Sequence, residues 1–416
     1  MTDSSQKALK RSTLLAAVIS SFMAPYLGSA VNVALPAIQE DLSATAVQLS
    51  WIAAAFVLVN AMLALPLGKA ADIWGRKRML AGGILLLTAS TLVCWVVKDP
   101  RTLIALRAVQ GVGSSAVAVT SMAIVTSVFP PKERGAAFGW VIAAVYTGLS
   151  AGPFVGGVLT GYLGWRSVFL SAALLGASAF GWIVTQLKGE WADAAGQRLD
   201  VTGCLLYACG VFGITYGAAS LPGARGAVLL AGGVGVIALF VRREYRVDIP
   251  LLDMRLFSEN RVFAFSSLAA LIHYAAVFAV TMLMSLYLQF VKGLPPQAAG
   301  LVLLAQPVVQ ALFSPAAGRL SDRLDPGRVA SAGMAITTLG LVLLLLVGDG
   351  SPIWCVSAAL AVLGFGYALF SSPNTNAIMS AVSRRDYGVA SSVVATMRTV
   401  GMSTSMAVAT VMISVF

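Results

Sequence analysis

From Leu14 to Phe416 the chain is a succession of apolar stretches, many of them ~18 residues or longer, the length that crosses a hydrocarbon core. No other feature constrains the fold as strongly. Lipid offers the backbone no hydrogen bonds, so such stretches must satisfy their amides internally and therefore form helices. The alternating pattern of a membrane β-barrel is absent. Composition closes off a soluble alternative: 58% of residues are hydrophobic and 11% charged, about half the charge of a soluble domain and too little to cover one. The expected fold class is an all-α polytopic membrane protein. Spans are predicted near 13–36, 48–68, 79–97, 102–128, 136–163, 167–187, 200–220, 226–241, 262–290, 297–317, 329–347, 352–381 and 388–416.

A net charge of +11 would suggest a nucleic-acid partner were it not for its distribution. With the N-terminus inside, the outer segments hold only Lys98, Arg101, Arg166, Arg225 and Lys292. Arg107 and Arg398 fall within spans, and every other Lys and Arg lies on the inner side. This is the positive-inside pattern, so the charge reports topology and no nucleic acid is expected. The expected location is the cytoplasmic (inner) membrane of a prokaryote, multi-pass, with a cytoplasmic N-terminus. The first apolar run continues to Pro36, too long for a secretory signal, and reads as an uncleaved span. Cys94, Cys204, Cys209 and Cys355 fall in spans without metal or redox spacing and read as packing residues.

A cytoplasmic loop recurs. Gly68, Asp72, Gly75, Arg76, Lys77 and Arg78 follow the second span; Gly318, Asp322, Arg323, Gly327 and Arg328 follow the tenth. A second echo pairs Arg134-Gly135 with Tyr387-Gly388 at the entries to the fifth and thirteenth spans. The repeat offset is eight spans, so two spans are inserted between halves of six-span type. The expected units are 1–190, an N-terminal six-span half; 191–261, two inserted spans and a cytoplasmic linker; and 262–416, a C-terminal half in which five spans are visible and a sixth is expected to be missing. Such repeats place a substrate path at their interface, near mid-membrane.

Three motifs fall on successive spans: the 68–78 loop; Leu106-Arg107-Ala-Val-Gln110-Gly111-Val-Gly113 in the fourth; and Gly148-Leu-Ser-Ala-Gly152-Pro153-Phe-Val-Gly156-Gly157 in the fifth. In this order they resemble the fourteen-span drug:proton antiporter branch of the major facilitator superfamily, over essentially the whole chain. The resemblance implies a major facilitator fold and multidrug-efflux-type transport, with the fifth-span motif characteristic of antiporters.

Each motif also has a physical reading. Gly68 permits close helix approach. Asp72, where a span meets the cytoplasm, can pair with Arg76, Lys77 or Arg134, or face the positive N-terminus of the helix starting near Gly388. A conformational latch built from Gly68, Asp72, Gly75, Arg76, Lys77, Arg134 and Asp322 is expected, against a plainer reading in which the basic residues only anchor topology. Arg107 is a charge inside a span, which costs at least ~2.5 kcal/mol unless it is paired or faces a cavity. Gln110 shares its helix face. The resemblance implies a coupling role for this pair; an inter-helix anchor is the alternative. Gly148, Gly152 and Gly156 form one smooth face for close packing, and Pro153 favours a kink. This seam either seals the path against ion leak or is ordinary helix packing.

One position departs from the branch. Where an acidic residue is common in the first span this chain has Leu27, although Asn32 and Pro36 are retained, and no carboxylate lies deep in any span. The deep charges are Arg107 and Arg398, so neutral or weakly anionic amphipathic substrates are expected rather than lipophilic cations. His273, the lone histidine, titrates in the range a coupled proton requires, or serves as a neutral inter-helix hydrogen bond. Asn32, Tyr274, Gln306, Gln310, Asn374 and Arg398 are candidates to line the substrate cavity.

The expected function is secondary active transport, proton-coupled export of amphipathic small molecules or drugs by alternating access. The alternative is uptake or facilitative transport of a small metabolite by the same fold. The expected partners are a small-molecule substrate, protons and the lipid bilayer, with the chain a monomer. No cofactor is expected, since the proton gradient supplies energy. With no nucleophile–base pair, phosphate loop or metal-ligand cluster, neither enzymatic chemistry nor a metal site is expected.

Overall fold

The computed structural model describes residues 3–348 and 350–415; Met1, Thr2, Asp349 and Phe416, and with them the outer ends of the first and last expected units, lie outside the described residues. Long helices follow one another in the order α1 (Asp3–Leu42), α2 (Ala46–Trp74), α3 (Arg76–Cys94), α4 (Pro100–Val128), α5 (Pro131–Leu163), α6 (Arg166–Gln186), α7 (Val201–Ala219) and α8 (Ala224–Glu244). The second part continues with α9 (Arg261–Val291), α10 (Pro296–Arg323), α11 (Pro326–Leu345), α12 (Ile353–Ser380) and α13 (Tyr387–Val415). No strand occurs among the described residues.

Local chemistry sets these boundaries. Thr45 and Gln48 form a reciprocal capping box at the start of α2. Asp99, Asp200, Asn260 and Asp325 each cap the helix that follows, two of them with Pro at its first position. Internal prolines, such as Pro25 and Pro36 in α1, do not end their helices, as expected where neighbouring helices shelter the freed carbonyls. α9 is less regular: it breaks after Val277 and closes in a π-turn over Tyr287–Val291. α10 breaks at Leu304.

Among the described residues, twelve helices, α1 to α12, are long and apolar enough to cross a membrane. The predicted span 388–416 is the 29-residue helix α13, as long as its neighbours. It carries Arg398 and many Ser and Thr, and it threads the interior of the bundle against α2, α4, α7 and α9. Helices that line an interior need less apolar surface than those facing lipid. The lipid-type exterior is plain elsewhere, with Phe154, Phe290, Leu345 and Trp354 all largely exposed.

The helices pack in two groups. In the first, α1 packs on α4, α5 and α6, and α3 on α4 and α6, around a core holding Leu27, Ile38, Ile84 and Phe169. In the second, α12 packs on α10 and α11, and α9 on α13, around Leu360, Leu363, Tyr367 and Phe370. The groups meet where α5 lies along α10 and α12, and α13 along α2 and α4. The inserted pair α7–α8 is a tight hairpin in which Gly213 backs onto Gly233. It docks on the outside of the α2–α13 seam, where the Tyr207 hydroxyl hydrogen-bonds Thr396 at 2.5 Å. A polar clasp ties its foot: Arg243 pairs with Asp200, and the buried Glu244 carboxylate accepts the Leu252 N–H at 2.9 Å. Asp200 is partly buried, which disfavours its charge, yet hydrogen bonds from Arg243 and the Gly203 N–H hold its carboxyl below the usual range.

Candidate functional site

At the end of the bundle that carries most of the Lys and Arg, two carboxylates from opposite groups each cap a helix of the other. Asp72, near the end of α2, accepts the N–H groups of Gly388 (2.9 Å) and Val389 (3.1 Å) in the first turn of α13. Asp322, near the end of α10, accepts those of Gly135 (2.7 Å) and Ala136 (2.8 Å) near the start of α5. Both acids therefore face the positive end of a helix dipole. Contact this close needs glycine: a Cβ on Gly68 would strike the Gly388 carbonyl, and one on Gly318 would strike that of Gly135. The two echoes in the sequence are thus the two sides of one repeated contact.

The repeat is not symmetric in charge. Arg76, fully buried, donates to Asp72 from Nε (2.9 Å) and Nη2 (2.6 Å). It also reaches Ser127 on α4, Asp193 in the segment after α6 (both 2.8 Å) and the Arg384 carbonyl at the foot of α13 (2.5 Å). Asp322 has no such arginine; no ion pair reaches it among the described residues. Arg134 does not meet Asp72 either. Its guanidinium donates to the Phe129 carbonyl and to the Tyr387 hydroxyl at 2.9 Å. Tyr387 is thus held between Arg76 and Arg134, each 5.3 Å from its ring centre.

The segment between α6 and α7 straps this region. Glu190 accepts the Lys77 and Arg78 N–H groups at the start of α3, the Trp191 carbonyl accepts the Arg76 N–H, and the Ala194 N–H donates to the Asp72 carbonyl. Gly75, at φ 111°, makes the turn that admits Glu190; a Cβ there would collide with its carboxylate. Glu190 and Asp193, in a segment with more acidic than basic residues facing a strongly basic loop, were the sequence signal for this strap, and it was missed.

The fifth-span glycines lie against α1. A Cβ on Gly148 would sit 2.5 Å from the Phe22 carbonyl, and one on Gly156 2.8 Å from Ala30 Cα. Gly152 meets Ser29 and the Tyr26 carbonyl in the same way. Gly157 has room for a side chain, and Pro153 points outward within a helix that runs on to Leu163.

Arg107 lies inside the first helix group. Its Nε donates to the Ile52 carbonyl (2.9 Å), Nη1 to Gln110 Oε1 (2.8 Å), and its guanidinium lies over Phe56. Gln110 Nε2 continues the chain to Thr91 and Cys94. This geometry joins α2, α3 and α4, and among the described residues no carboxylate pairs with Arg107. Leu27 is likewise buried in the first group's core, so an acid at that position would be surrounded by apolar side chains.

The cavity candidates separate. Asn32 is exposed at the far end of α1. Asn374 and Asn376 are buried near the basic end, donating to the Ser266 carbonyl and to Ser321. Gln306 is buried where α10 crosses Gly364. The other three gather mid-bundle between the groups. Tyr274 and His273 on α9 meet Tyr367 and Phe370 on α12, and Tyr367 meets Tyr146 on α5, with ring centres 4.0–6.0 Å apart. Gln310 is buried on α10, between Gln306, which backs onto Gly364, and Ser314, which backs onto Gly139, and Arg398 lies within electrostatic reach of Tyr146. Tyr146, Tyr367 and Phe370 were not singled out from sequence. Two buried tyrosines in apolar spans, each needing a partner for its hydroxyl, were the available signal.

The sequence matches the family model described as Major Facilitator Superfamily over residues 17–406. The chain belongs to that superfamily. Similar curated proteins are the riboflavin transporter RibZ of Clostridioides difficile, 30% identical over 92% of this chain and 84% of that protein, and the multidrug resistance protein Stp of Mycobacterium tuberculosis, 31% identical over 95% and 74%. The methylenomycin A resistance protein of Streptomyces coelicolor is 30% identical over 89% and 79%. Among solved structures, the human organic anion transporter MFSD10 superposes with a TM-score of 0.72 at 16% identity over 96% of this chain and 93% of its own, which shows the shared fold. This major facilitator protein is thus a multi-pass membrane transporter rather than an enzyme.

Proposed function

We propose that this major facilitator protein exports amphipathic small molecules in exchange for protons, across a prokaryotic cytoplasmic membrane with its basic face and N-terminus inside. The observation that carries the reading is the paired closure of the basic face, where Asp72 and Asp322 each bind backbone amides of the opposite half. In this conformation the path is shut on that side. Opening it requires both caps to release, and recapping drives the substrate outward. The caps thus act as a latch on alternating access between the halves.

Export rather than uptake is supported by the antiporter-type motif of α5, whose glycines pack directly on α1, and by relatives named for multidrug and antibiotic resistance. The inserted hairpin α7–α8 supports placement in the fourteen-span drug:proton branch. Among the coupling candidates, Arg107 and Gln110 form a fixed network inside one half. His273 lies against Tyr367 and Phe370 of the second group, Tyr367 in turn meets Tyr146 of the first, and the His273 Nε2 has no hydrogen-bond partner among the described residues. We assign the coupled proton to His273, which gains a proton when water reaches the cluster and gives it up when the rings close again.

The test is transport in proteoliposomes under an imposed pH gradient, with neutral, anionic and cationic fluorescent amphipaths. Gradient-driven accumulation opposite to proton flow, diminished in His273→Gln, is the expected result. Accumulation that ignores the gradient would replace export with facilitated transport. Full gradient dependence in His273→Gln would remove that residue from coupling.

A further inference from the structure

Arg398 is a guanidinium in the middle of a membrane helix without a carboxylate partner. From Gly388, which binds Asp72, Arg398 is ten residues along α13, about 15 Å at the rise of an α-helix. Tyr146 lies eleven residues beyond Gly135 on α5, about 16 Å from the other cap. Both therefore sit near the centre of a hydrocarbon core roughly 30 Å thick. At this depth the charge must be paired or face a polar path. Among the described residues no ion pair reaches Arg398, and each Asp and Glu lies in a loop or close to a helix end.

Its surroundings are those of a receptor rather than a structural anchor. Gly401, one turn on, lies against Leu271 and Tyr274, where a Cβ would come within 2.9 Å of Tyr274 Cβ, so this stretch of α13 faces α9 at the tyrosine. Arg398 lies within electrostatic reach of Tyr146, and the rings of Tyr146 and Tyr274 each lie against that of Tyr367, with centres 5.7 and 5.5 Å away. Gln310 adds a buried Nε2 donor without a partner. Its neighbours on α10 fix its level: Gln306 backs onto Gly364 of α12 and Ser314 onto Gly139 of α5, so Gln310 lies between those helices at the height of Tyr146 and Tyr367. A fixed cation, three phenols and an amide donor thus converge where the halves meet, with Met397 and Met402 beside them as adaptable apolar wall.

We propose that Arg398, with Tyr146, Tyr274, Tyr367 and Gln310, forms an anion-binding subsite that takes the carboxylate, or a comparable delocalised anion, of an aromatic amphipath. This rests on the reading of the chain as an exporter of amphipathic small molecules and names their class. The substrate supplies the counter-charge that the protein lacks, the phenols and amide complete its hydrogen bonds, and the aromatic body packs on the rings of Tyr274 and Tyr367. The site selects against lipophilic cations, which would meet the unpaired guanidinium in a medium of low dielectric.

The experiment is equilibrium binding to the purified full chain in detergent, read by dansyl fluorescence, with dansylglycine and dansylglycinamide. The two probes differ only in the carboxylate. The wild type is expected to bind dansylglycine at least tenfold more tightly. Arg398→Gln should reduce dansylglycine to the affinity of the amide, and Arg398→Lys should keep part of the preference. Equal binding of the two probes by the wild type, or a preference that survives in monodisperse Arg398→Gln, overturns the proposal. If Arg398→Gln does not fold, Tyr146→Phe, which removes a single hydroxyl, must cut the preference at least threefold, and an unchanged preference overturns the subsite. Binding needs no gradient, so the two readings fail separately. A carboxylate preference without gradient-driven transport leaves the subsite and sinks proton-coupled export. Gradient-driven transport of a cationic dye, with no carboxylate preference, does the reverse.

Discussion

Replacing Asp72 with Asn removes a charge and one acceptor oxygen while preserving shape. In the closed basic face this carboxylate receives two backbone N–H groups of α13 and two bonds from Arg76. Asn keeps one oxygen, so at least one donor is orphaned, and any backbone N–H bond that remains becomes a neutral one, roughly half as strong as a charge-assisted bond. The Arg76 bonds lie within the first half and change less between states; the two amide bonds cross the interface and exist only when the face is closed. Together the loss is about 3 kcal/mol of preference for the closed state. At ~1.4 kcal/mol per factor of ten, a closed:open ratio of ~100:1 falls to near unity. Spin labels at the exposed Arg78 and Arg385 positions, in a cysteine-free background, measure the separation of the two halves at this face. The expected result is a second, longer distance in Asp72→Asn, populated comparably to the first. Asp322→Asn should shift the same way. An Asp72→Asn distribution that matches the wild type, with transport unchanged, would refute the latch.

Three further outcomes follow from packing and the strap. Gly148→Leu forces α1 and α5 apart and should lower the melting temperature of the purified protein, at a cost of about 1–3 kcal/mol or more, whereas Gly157→Ala should leave it within error because its neighbours leave space. Arg107→Ala orphans the Ile52 carbonyl and Gln110 and loses the contact with Phe56, so it should destabilise the fold by about 2–4 kcal/mol in the same assay; unaltered melting would deny it the anchoring role. Asp193→Ala frees the strap from Arg76, and limited trypsin digestion after Lys188 or Arg198 should accelerate severalfold, an effect absent if the strap is held by Glu190 alone.

The positions of the helices were legible because a bilayer imposes a length: the predicted span 102–128 is α4, Pro100–Val128, and 167–187 is α6, Arg166–Gln186. The helix faces were far less so. In lipid both the outside and the packed side of a helix are apolar, so periodicity says little about which residue looks where. Asp72 illustrates the boundary. Its importance showed in the repeat, and both Arg76 and the helix near Gly388 were among its possible partners, but only the fold reveals that it binds both at once and that Arg134 turns to Tyr387 instead. Arg107 and Arg398 looked alike in sequence as intramembrane arginines. One is enclosed by carbonyl and amide groups of its own half, and the other faces the seam. Tyr146, Tyr367 and Phe370 converge from two distant helices; a tyrosine in an apolar span signals that its hydroxyl needs a partner, but nothing local says which helix supplies it. The strap escaped notice because Glu190 and Asp193 bind the start of α3 from more than a hundred residues away.

The caps that close the basic face join a side chain on one half to main chain on the other. Genetic dissection of this gate is therefore lopsided. Loss of Asp72 or Asp322 has no compensating charge swap on α13 or α5, since the partner is an amide that every residue but proline supplies. Positions 389 and 136 are accordingly free to drift in side-chain character, provided proline is avoided, while 388 and 135 are held to glycine by clearance alone. Suppressors of a broken cap should arise instead among residues that set how closely the helices approach.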